Sequence, residues 1–255
     1  MKFTDSHCHM VMTAFETDRT RILDEYFESG GQDLMNISTS PGELTSNLEL
    51  ALKYDNIYNT LGWHPHDAKD YDDRAEAQLK QAIERKQIQA VGEIGLDYHY
   101  DNSPRADQIR AFERQMTLAD RSRLPVIIHT REAEADTMTV LRKYRHVRGV
   151  LHCYTSGPEL MEAGLDLDYY VSFSGILTFP RSTDLQELVR HVPIDRLLFE
   201  TDAPYLAPVP HRGKRNDPRL VVHVIRYAAG LLGMEPESLS EQACRNFRDL
   251  FGDPA

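Results

Sequence analysis

The hydrophobic positions of the chain fall into short runs, and longer segments that carry helical periodicity separate these runs. Eight such runs are candidate strands, and they cover residues 2–7, 33–38, 57–62, 90–95, 125–129, 149–152, 170–174 and 197–201. Short, nearly continuous apolar runs are typical of strands that are buried on both faces. The pattern therefore predicts a parallel sheet whose strands are joined by helices.

Helical periodicity is clearest between the fourth and fifth runs. Pro104 stands near the start of a segment in which apolar residues recur at spacings of three and four: Ile109, Phe112, Met116 and Ala119. Similar apolar faces precede the sixth and eighth runs and follow the last one. Strand–helix alternation repeated eight times predicts an α/β fold, a (β/α)8 TIM barrel that forms a single domain over residues 1–255. A doubly wound open sheet is the structural alternative.

Composition narrows the class of protein. A chain of 255 residues, 41% of them hydrophobic, suits one barrel domain. It contains no apolar run of about 18 residues, which predicts that no helix crosses a membrane. The N-terminus lacks the apolar stretch of a secretory signal, and Cys8, Cys153 and Cys244 are too few and too scattered for a disulfide framework. We therefore expect a cytoplasmic protein.

Residue types that bind metals stand at or near the ends of five runs: His7, His9, Glu93, His129, His152 and Asp202. Residues i and i+2 of a strand point to the same side, so His7 and His9 project together. In a closed barrel the carboxyl ends of all strands meet at one face. We therefore expect these six side chains to meet there. An open sheet would hold its first and last strands far apart and explains the pattern less well.

Each of these residues also has a structural alternative. A carboxylate inside an apolar strand, such as Glu93, is costly to bury without a cation or hydrogen-bond donors, and an ion pair with a nearby arginine would serve instead. A lone buried histidine is commonly a core residue, but His129 and His152 end successive runs. Cys8 and Cys153 alternate with candidate ligands along their strands, so we interpret them as packing residues.

Imidazole and carboxylate ligands suit Zn, Mn and related ions, and Mg where oxygen dominates. Six ligands are many for one catalytic ion that must keep an open position. They favour two divalent ions (Mg, Mn or Zn) about 3.5–4 Å apart, with Glu93 as the bridging carboxylate. In the predicted mechanism a water that bridges the metals attacks the substrate, and Asp202 accepts its proton.

Longer motifs around these residues resemble one known family, the TatD metal-dependent hydrolases among the amidohydrolase-type barrels. The matching segments run from end to end: Phe3-x-Asp5-Ser6-His7-Cys8-His9, Gly62-Trp63-His64-Pro65-His66, Gly92-Glu93-Ile94-Gly95-Leu96-Asp97-Tyr98, Leu124-Pro125-Val126-Ile127-Ile128-His129-Thr130-Arg131, His152-Cys153-Tyr154, Glu200-Thr201-Asp202-Ala203-Pro204-Tyr205-Leu206 and Arg212-Gly213-Lys214-Arg215-Asn216. The resemblance implies a TIM barrel, two divalent metals, a 3′–5′ exonuclease or other deoxyribonuclease activity, and the same six ligands.

The chain departs from the family pattern at two places. Tyr154 stands after His152-Cys153 where the family more usually has Phe and a Ser-Gly run, and Asp217 precedes Pro218 where Glu is more common. Neither departure touches a proposed ligand.

Candidate substrate-binding residues surround this site. The one local basic cluster follows the last run and comprises Arg212, Lys214 and Arg215. Loops at this position of a barrel often bind phosphate, so we interpret the cluster as a clamp on a phosphodiester backbone, with a solvated loop as the alternative. Arg131 follows His129 and is expected either to reach a phosphate or to orient a carboxylate. His64 is assigned to substrate binding or proton transfer, although His64 and His66 are spaced like a second metal pair.

Aromatic residues near the run ends have two interpretations. Tyr98, Tyr154 and Tyr205 either stack on nucleobases or pack at the rim of the barrel. His99 has no ligand-type company in the sequence and is interpreted as a surface or scaffold residue.

Net charge bears on the substrate. A charge of −11 disfavours sequence-blind coating of DNA, which usually requires a basic surface. It is compatible with a strand end entering a cationic pocket, because bound metals add positive charge locally. Combined with the activity that the family resemblance implies, this leads us to predict a two-metal hydrolase that cleaves DNA phosphodiester bonds from the 3′ end of a single strand.

Three alternatives stay open beside that prediction. The same ligands serve amide or ester hydrolysis, as in an aminoacyl-tRNA deacylase or a small-molecule amidohydrolase. The polymerase-and-histidinol-phosphatase barrels also begin with His-x-His, but they match the other segments less well. A barrel that only binds would be expected to lack a ligand, and none is missing here. A monomer is expected, since no apolar surface stripe is evident.

Overall fold

Eight parallel strands follow one another around the molecule in chain order. The computed structural model describes residues 1–252; residues 253–255, which the single-domain prediction included, lie outside the described residues. The strands are β1 (Phe3–Cys8), β2 (Gly31–Asn36), β3 (Ile57–Leu61), β4 (Ala90–Asp97), β5 (Val126–Arg131), β6 (Gly149–Leu151), β7 (Tyr170–Phe173) and β8 (Leu197–Phe199). Each predicted run overlaps one strand, and no bound differs by more than two residues; β2, for example, begins and ends two residues earlier than predicted.

The first and last strands meet and close the sheet into a barrel. Cys8 forms a parallel bridge with Ala203 just beyond the end of β8. The Asp202 N–H donates to the His7 carbonyl at 2.9 Å, and the His9 N–H donates to the Ala203 carbonyl at 2.9 Å. The seam therefore lies at candidate ligands, so closing the barrel brings them together. The predicted (β/α)8 barrel is confirmed, and the open sheet is excluded.

Helices connect the strands and cover the outside of the barrel. They are α1 (Arg19–Glu28), α2 (Pro41–Ala51), α3 (Asp73–Glu84), α4 (Arg105–Ser122), α5 (Glu134–Lys143), α6 (Pro158–Leu165), α7 (Thr183–Leu188), α8 (Val221–Leu232) and α9 (Pro236–Phe251). Local signals set several of their ends. The Ser40 and Asp72 side chains accept backbone N–H groups at the starts of α2 and α3. Among residues 1–252, none of the helices combines the length and apolarity needed to traverse a bilayer.

The core has two parts. Most buried apolar residues pack between the strands and the helices, including Phe112, Met116 and Ala119 on the predicted face of α4. A second cluster includes Ile127, Val150 and Leu198, packed with residues of α9 such as Phe247 and Phe251. These three strand residues stand two positions before His129, His152 and Glu200, so they share the inner face of the barrel. Helix α9 therefore packs beneath the interior, and the opposite end is left for the polar side chains.

Gly95 allows close pairing of β4 with β5 beside the polar end. Its φ of +141° lies in a region that residues with side chains rarely adopt, and a Cβ there would collide with the His129 carbonyl oxygen. Gly95 is the residue paired with His129 in the sheet. The glycine therefore lets the strand that carries Glu93 approach the strand that carries His129.

Candidate metal centre at the carboxyl ends of the strands

Glu93, from the interior of β4, lies at the centre of the polar end of the barrel. Its side chain is 5% exposed. One oxygen, Oε1, lies 2.8 Å from His152 Nε2 and 2.9 Å from His129 Nδ1. The other, Oε2, lies 3.4 Å from His7 Nε2 and 4.0 Å from His9 Nε2. The two oxygens of one buried carboxylate thus face two different sets of imidazoles.

Asp202 completes the set on the seam between β1 and β8. Its Oδ1 lies 3.4 Å from His9 Nε2 and 3.7 Å from His7 Nε2. The two Nε2 atoms themselves are 3.2 Å apart, as expected for side chains two residues apart on one strand. The structure therefore brings together all six residues that the sequence singled out as ligands.

The donor atoms converge in the way that a metal requires. Three groups of residues each place their ligand atoms within 4.8 Å of one another: His7 with Glu93 and His152, His7 with His9 and Asp202, and His64 with Glu93 and His129. Imidazole nitrogens and carboxylate oxygens suit Zn and other divalent transition ions. Glu93 contributes to two of the groups, which fits a carboxylate shared between two ions. The residues present therefore fit a divalent metal centre.

His64 lies within the cluster of candidate ligands, next to Glu93 and His129. Its Nε2 is 3.4 Å from Glu93 Oε1, and its ring lies 4.6 Å from that of His129. The sequence predicts that His64 acts in substrate binding or proton transfer, and that role stays a prediction. The geometry adds a second candidate role, because His64 is placed as a potential ligand beside Glu93 and His129.

Asp97, at the end of β4, orients two of these histidines. Its buried Oδ2 lies 3.1 Å from His129 Nε2 and 3.1 Å from His66 Nε2. Its Oδ1 accepts the backbone N–H groups of His99 and Tyr100. These bonds help to hold the pKa of Asp97 far below its usual range, although burial opposes that shift. A carboxylate behind a ligand histidine sets the tautomer and orientation of the ring.

Glu200 has the same relation to His152. This fully buried carboxylate lies 3.2 Å from His152 Nδ1 through Oε1, while His152 Nε2 faces Glu93. Within residues 1–252, Glu200 Oε2 has no hydrogen-bond partner. Glu200 therefore sets the orientation of His152 from behind.

Asp5, on β1, forms hydrogen bonds across the barrel seam to the segment that follows β8. Its Oδ1 accepts the N–H groups of Thr201 and His7, and its Oδ2 accepts the Thr201 hydroxyl at 2.5 Å. Burial raises the pKa of Asp5 well above its usual range, against the effect of these hydrogen bonds. Asp5 thereby links the backbone before Asp202 to the backbone of His7.

Asp5, Asp97 and Glu200 are not among the predicted site residues, although the sequence carries a signal for each of them. Each is an acid in or next to an apolar run, which is the argument that singled out Glu93.

Burial and neighbouring charges shift the pKa values of Glu93 and His152 in opposite directions. Burial by itself would raise the pKa of Glu93, but the charges of His152 and His64 and the hydrogen bonds from His129 and His152 hold it well below its usual range. Burial likewise opposes protonation of His152, yet Glu93 and Glu200 raise its pKa well above that of a free imidazole. The lowered pKa keeps the Glu93 carboxylate ionised at neutral pH, as a role in metal binding requires.

Comparison with known proteins agrees with this geometry. Residues 4–252 match the family model described as TatD related DNase. The chain belongs to the TatD family.

A relative from Escherichia coli K12, named uncharacterized metal-dependent hydrolase YcfH, is 39% identical over 257 residues, which cover 98% of this chain and 96% of the relative. A relative from Erwinia billingiae, named 3′-5′ ssDNA/RNA exonuclease TatD, is 34% identical over 259 residues, which cover 98% of this chain and 99% of the relative. The crystal structure of the TatD homologue YJJV from Escherichia coli K12 superposes with a TM-score of 0.92 at 28% identity, covering 99% of this chain and 98% of that one. The protein is accordingly a metal-dependent hydrolase.

The three residues of the predicted phosphate clamp in this TatD protein differ in how far they are already bound to other parts of the protein. Arg215 binds the Asp18 carboxylate through both terminal nitrogens, at 3.0 and 2.7 Å, and also donates to the Ala14 carbonyl. Arg212 lies over the Phe179 ring at 3.9 Å, and both Arg212 and Lys214 are exposed. In this conformation Arg215 anchors the loop to the start of α1, and Arg212 and Lys214 are the members that a phosphate can approach.

The three candidate stacking tyrosines differ in exposure. Tyr154 is buried, with its hydroxyl donating to the Gly157 carbonyl. Tyr98 is partly buried, with its hydroxyl donating to Asp136 at 2.6 Å. Tyr205 is 52% exposed, and Asn216 binds its carbonyl oxygen at 2.6 Å. Of the three, Tyr205 is the one that offers a ring to solvent.

The contact between Glu200 and His152 leads to a prediction about metal affinity. We expect Glu200→Gln to weaken metal binding by about 10- to 100-fold, because the uncharged amide supports the His152 imidazole less well. Calorimetric titration of metal-free protein with Zn²⁺ or Mn²⁺ measures the change. Glu237→Gln, at an exposed position in the first turn of α9, is the matched control and should bind metal like the parent protein. Equal affinities in all three proteins would contradict the supporting role of Glu200.

Proposed function

We propose that this TatD protein hydrolyses phosphodiester bonds of single-stranded DNA from the 3′ end, with two divalent ions held at the polar end of the barrel. The observation that carries the proposal is the position of Glu93, whose oxygens face His129 and His152 on one side and His7 and His9 on the other. A buried carboxylate between two sets of ligands is typical of two-metal hydrolases. The name of the Erwinia relative, 3′-5′ ssDNA/RNA exonuclease, supports the choice of substrate and polarity.

The proposed ligand sets follow the distances between the donor atoms. His7, His9 and Asp202 would hold one ion, and Glu93, His129 and His152 would hold the other, with Glu93 shared between them. Divalent ions at such a site neutralise negative charge on phosphate oxygens and lower the pKa of water.

The side chains around these sets have separate tasks. Asp97 and Glu200 hold the His129 and His152 rings in place before substrate arrives, so little orientation has to be gained during the reaction. The effects of His9 and His7 lower the pKa of Asp202 despite burial, so its carboxylate is ionised. Asp202 accepts the proton of the attacking water at Oδ2, since Oδ1 is the oxygen that faces His7 and His9.

Cations near the ligand-bearing strands serve the substrate's remaining phosphates. Arg131 ends β5, two residues after His129. Arg212 and Lys214 extend from the loop that follows the seam strand β8. These positions suit a DNA strand whose end enters the site and whose backbone then passes over the rim of the barrel. Local cations along that path would bind phosphates although the net charge of the protein is negative. The preference for DNA and the monomeric state are part of this proposal.

A nuclease assay tests the proposal directly. The protein is reconstituted with Mg²⁺, Mn²⁺ or Zn²⁺ and incubated with single-stranded DNA labelled at the 5′ end, and the products are resolved at single-nucleotide resolution. We expect a ladder of 5′-labelled products that shorten one nucleotide at a time. The same oligonucleotide with phosphorothioate linkages at its 3′ end should resist shortening. Release of the 5′ label as a mononucleotide at the earliest times would contradict the assigned polarity.

Hydrolysis of amide or ester bonds remains the second candidate, because the same ligands also activate water against a carbonyl carbon. Aminoacyl esters and small amides are therefore assayed with the same metal-loaded protein. Carbonyl hydrolysis without any DNA cleavage would replace the proposed function with this one.

A further inference from the structure

We propose that Tyr100 and Arg131 form a nucleobase-stacking site at the mouth of the metal centre. This inference rests on the proposed action on nucleic acids and adds where a base of the substrate is held. The ligand is defined by its chemistry as a flat aromatic heterocycle that carries a phosphate on its sugar.

The exposure of Tyr100 is the first observation. The residue is 55% exposed, whereas Tyr98, two positions earlier, packs against the protein. Among residues 1–252, few large hydrophobic side chains are as exposed. An exposed aromatic ring beside a polar cleft is a recurrent feature of surfaces that bind single-stranded nucleic acid.

The ring is supported on several sides despite its exposure. The Arg131 guanidinium lies over it, 4.8 Å from the centroid. The His66 and His99 rings meet it nearly edge-on, with centroids at 5.4 and 4.9 Å and interplanar angles of 87° and 85°. A ring held in this way loses little conformational freedom when a ligand stacks on it, so more of the contact energy contributes to affinity.

Asp97 connects this platform to the metal centre. The Tyr100 N–H donates to Asp97 Oδ1 at 2.8 Å, while Asp97 Oδ2 lies 3.1 Å from both His66 and the candidate ligand His129. One carboxylate thus fixes the backbone of Tyr100 and the ring of His129. The platform is therefore held at a set distance from His129 and hence from the candidate metal centre, as a subsite for a neighbouring base must be.

The combination of groups favours a nucleobase over other flat or apolar ligands. A guanidinium beside an aromatic ring offers both stacking and cation–π attraction to a base, and the same cation attracts the adjacent phosphate. An aliphatic side chain of a peptide substrate offers neither a π-face to the guanidinium of Arg131 nor a phosphate to pair with its charge. The contacts use no hydrogen bond to a base edge, so the site should accept all four bases.

Fluorescence of 2-aminopurine measures stacking independently of hydrolysis. The metal-loaded protein is mixed with single-stranded oligodeoxynucleotides that carry phosphorothioate linkages and one 2-aminopurine, placed at each of the last few positions from the 3′ end. We expect quenching at one position in the parent protein. Tyr100→Ala should remove that quenching and raise Kd about 5- to 100-fold, the range typical for loss of one stacked base.

Matched variants separate stacking from structure. Tyr100→Phe should keep the quenching and bind within about twofold of the parent, whereas Tyr100→Leu, which keeps apolar bulk and the backbone hydrogen bond, should behave like alanine. Tyr227→Ala removes a tyrosine on α8 that is 37% exposed and should change nothing. Unaltered quenching and affinity in both the alanine and leucine variants would overturn the stacking site.

The outcomes also distinguish this inference from the proposed function. Quenching that depends on Tyr100, in a protein that cleaves no DNA with any metal, would leave the stacking site standing and reject the nuclease. The opposite result is cleavage from the 3′ end that is equally fast in the parent and Tyr100→Leu proteins, with no quenching at any position. It would support the nuclease and reject the stacking site.

Discussion

Glu93→Gln is expected to abolish hydrolysis, with activity reduced on the order of 10³-fold or more, because it removes a carboxylate whose two oxygens face the two sets of imidazoles. An amide nitrogen at the position of one oxygen cannot bind a cation, and the neutral side chain no longer offsets the charge of two divalent ions. Metal affinity should fall together with activity. Elemental analysis after dialysis and initial rates with added metal give both quantities.

The control for this variant is a second glutamate-to-glutamine exchange away from the site. Glu237→Gln, in the first turn of α9, should keep both metal content and rate. Thermal melts of the metal-free proteins show whether the Glu93 variant is folded. A folded Glu93→Gln protein that holds metal and turns over at the parent rate would reject Glu93 as the central ligand.

Asp202→Asn is expected to lower turnover by about 10²- to 10⁴-fold, which is the range typical for loss of a general base. The fold should stay intact. Asparagine keeps the size of the side chain but cannot accept the proton. The backbone at Asp202 has φ +53°, a conformation that asparagine tolerates better than most residues, so the barrel seam should be undisturbed. The measurement is kcat at saturating metal and substrate, with the thermal midpoint as the check on folding.

Asp168 provides a matched control for that exchange. It also has a positive φ, of 62°, but lies at the surface near Arg196. Asp168→Asn should therefore have the same backbone consequence and no effect on turnover. If Asp202→Asn retains the parent kcat at saturating metal, another group must accept the proton, and His64 beside Glu93 is the next candidate.

Several parts of the protein could be predicted because the signals for them are local. Alternating strand and helix patterns are properties of short segments, and they placed all eight strands in order. Once a barrel is predicted, residues at the carboxyl ends of its strands must converge, so His7 on β1 and Asp202 after β8 could be paired without a structure.

Other features depend on contacts between residues distant in sequence, and no local pattern contains them. Glu200 reaches His152 across 48 positions, and Arg215 pairs with Asp18 across 197. From the sequence, Arg215 could be predicted only as a cation near the site. The fold showed that its guanidinium binds Asp18 at the start of α1. Likewise, Tyr98 and Tyr100 are two residues apart, and only the packing of the loop decided which ring is exposed.

The sequence by itself thus determined the barrel, the family and the residue types available for chemistry, because hydrophobic periodicity and motif spacing are encoded along the chain. The tertiary structure decided which carboxylate supports which imidazole, that His64 lies among the candidate ligands, and that Tyr100 faces the solvent beside them. The physical reason is that hydrogen-bond partners and exposure are set by the distances between strand ends, and those distances exist only once the barrel has closed.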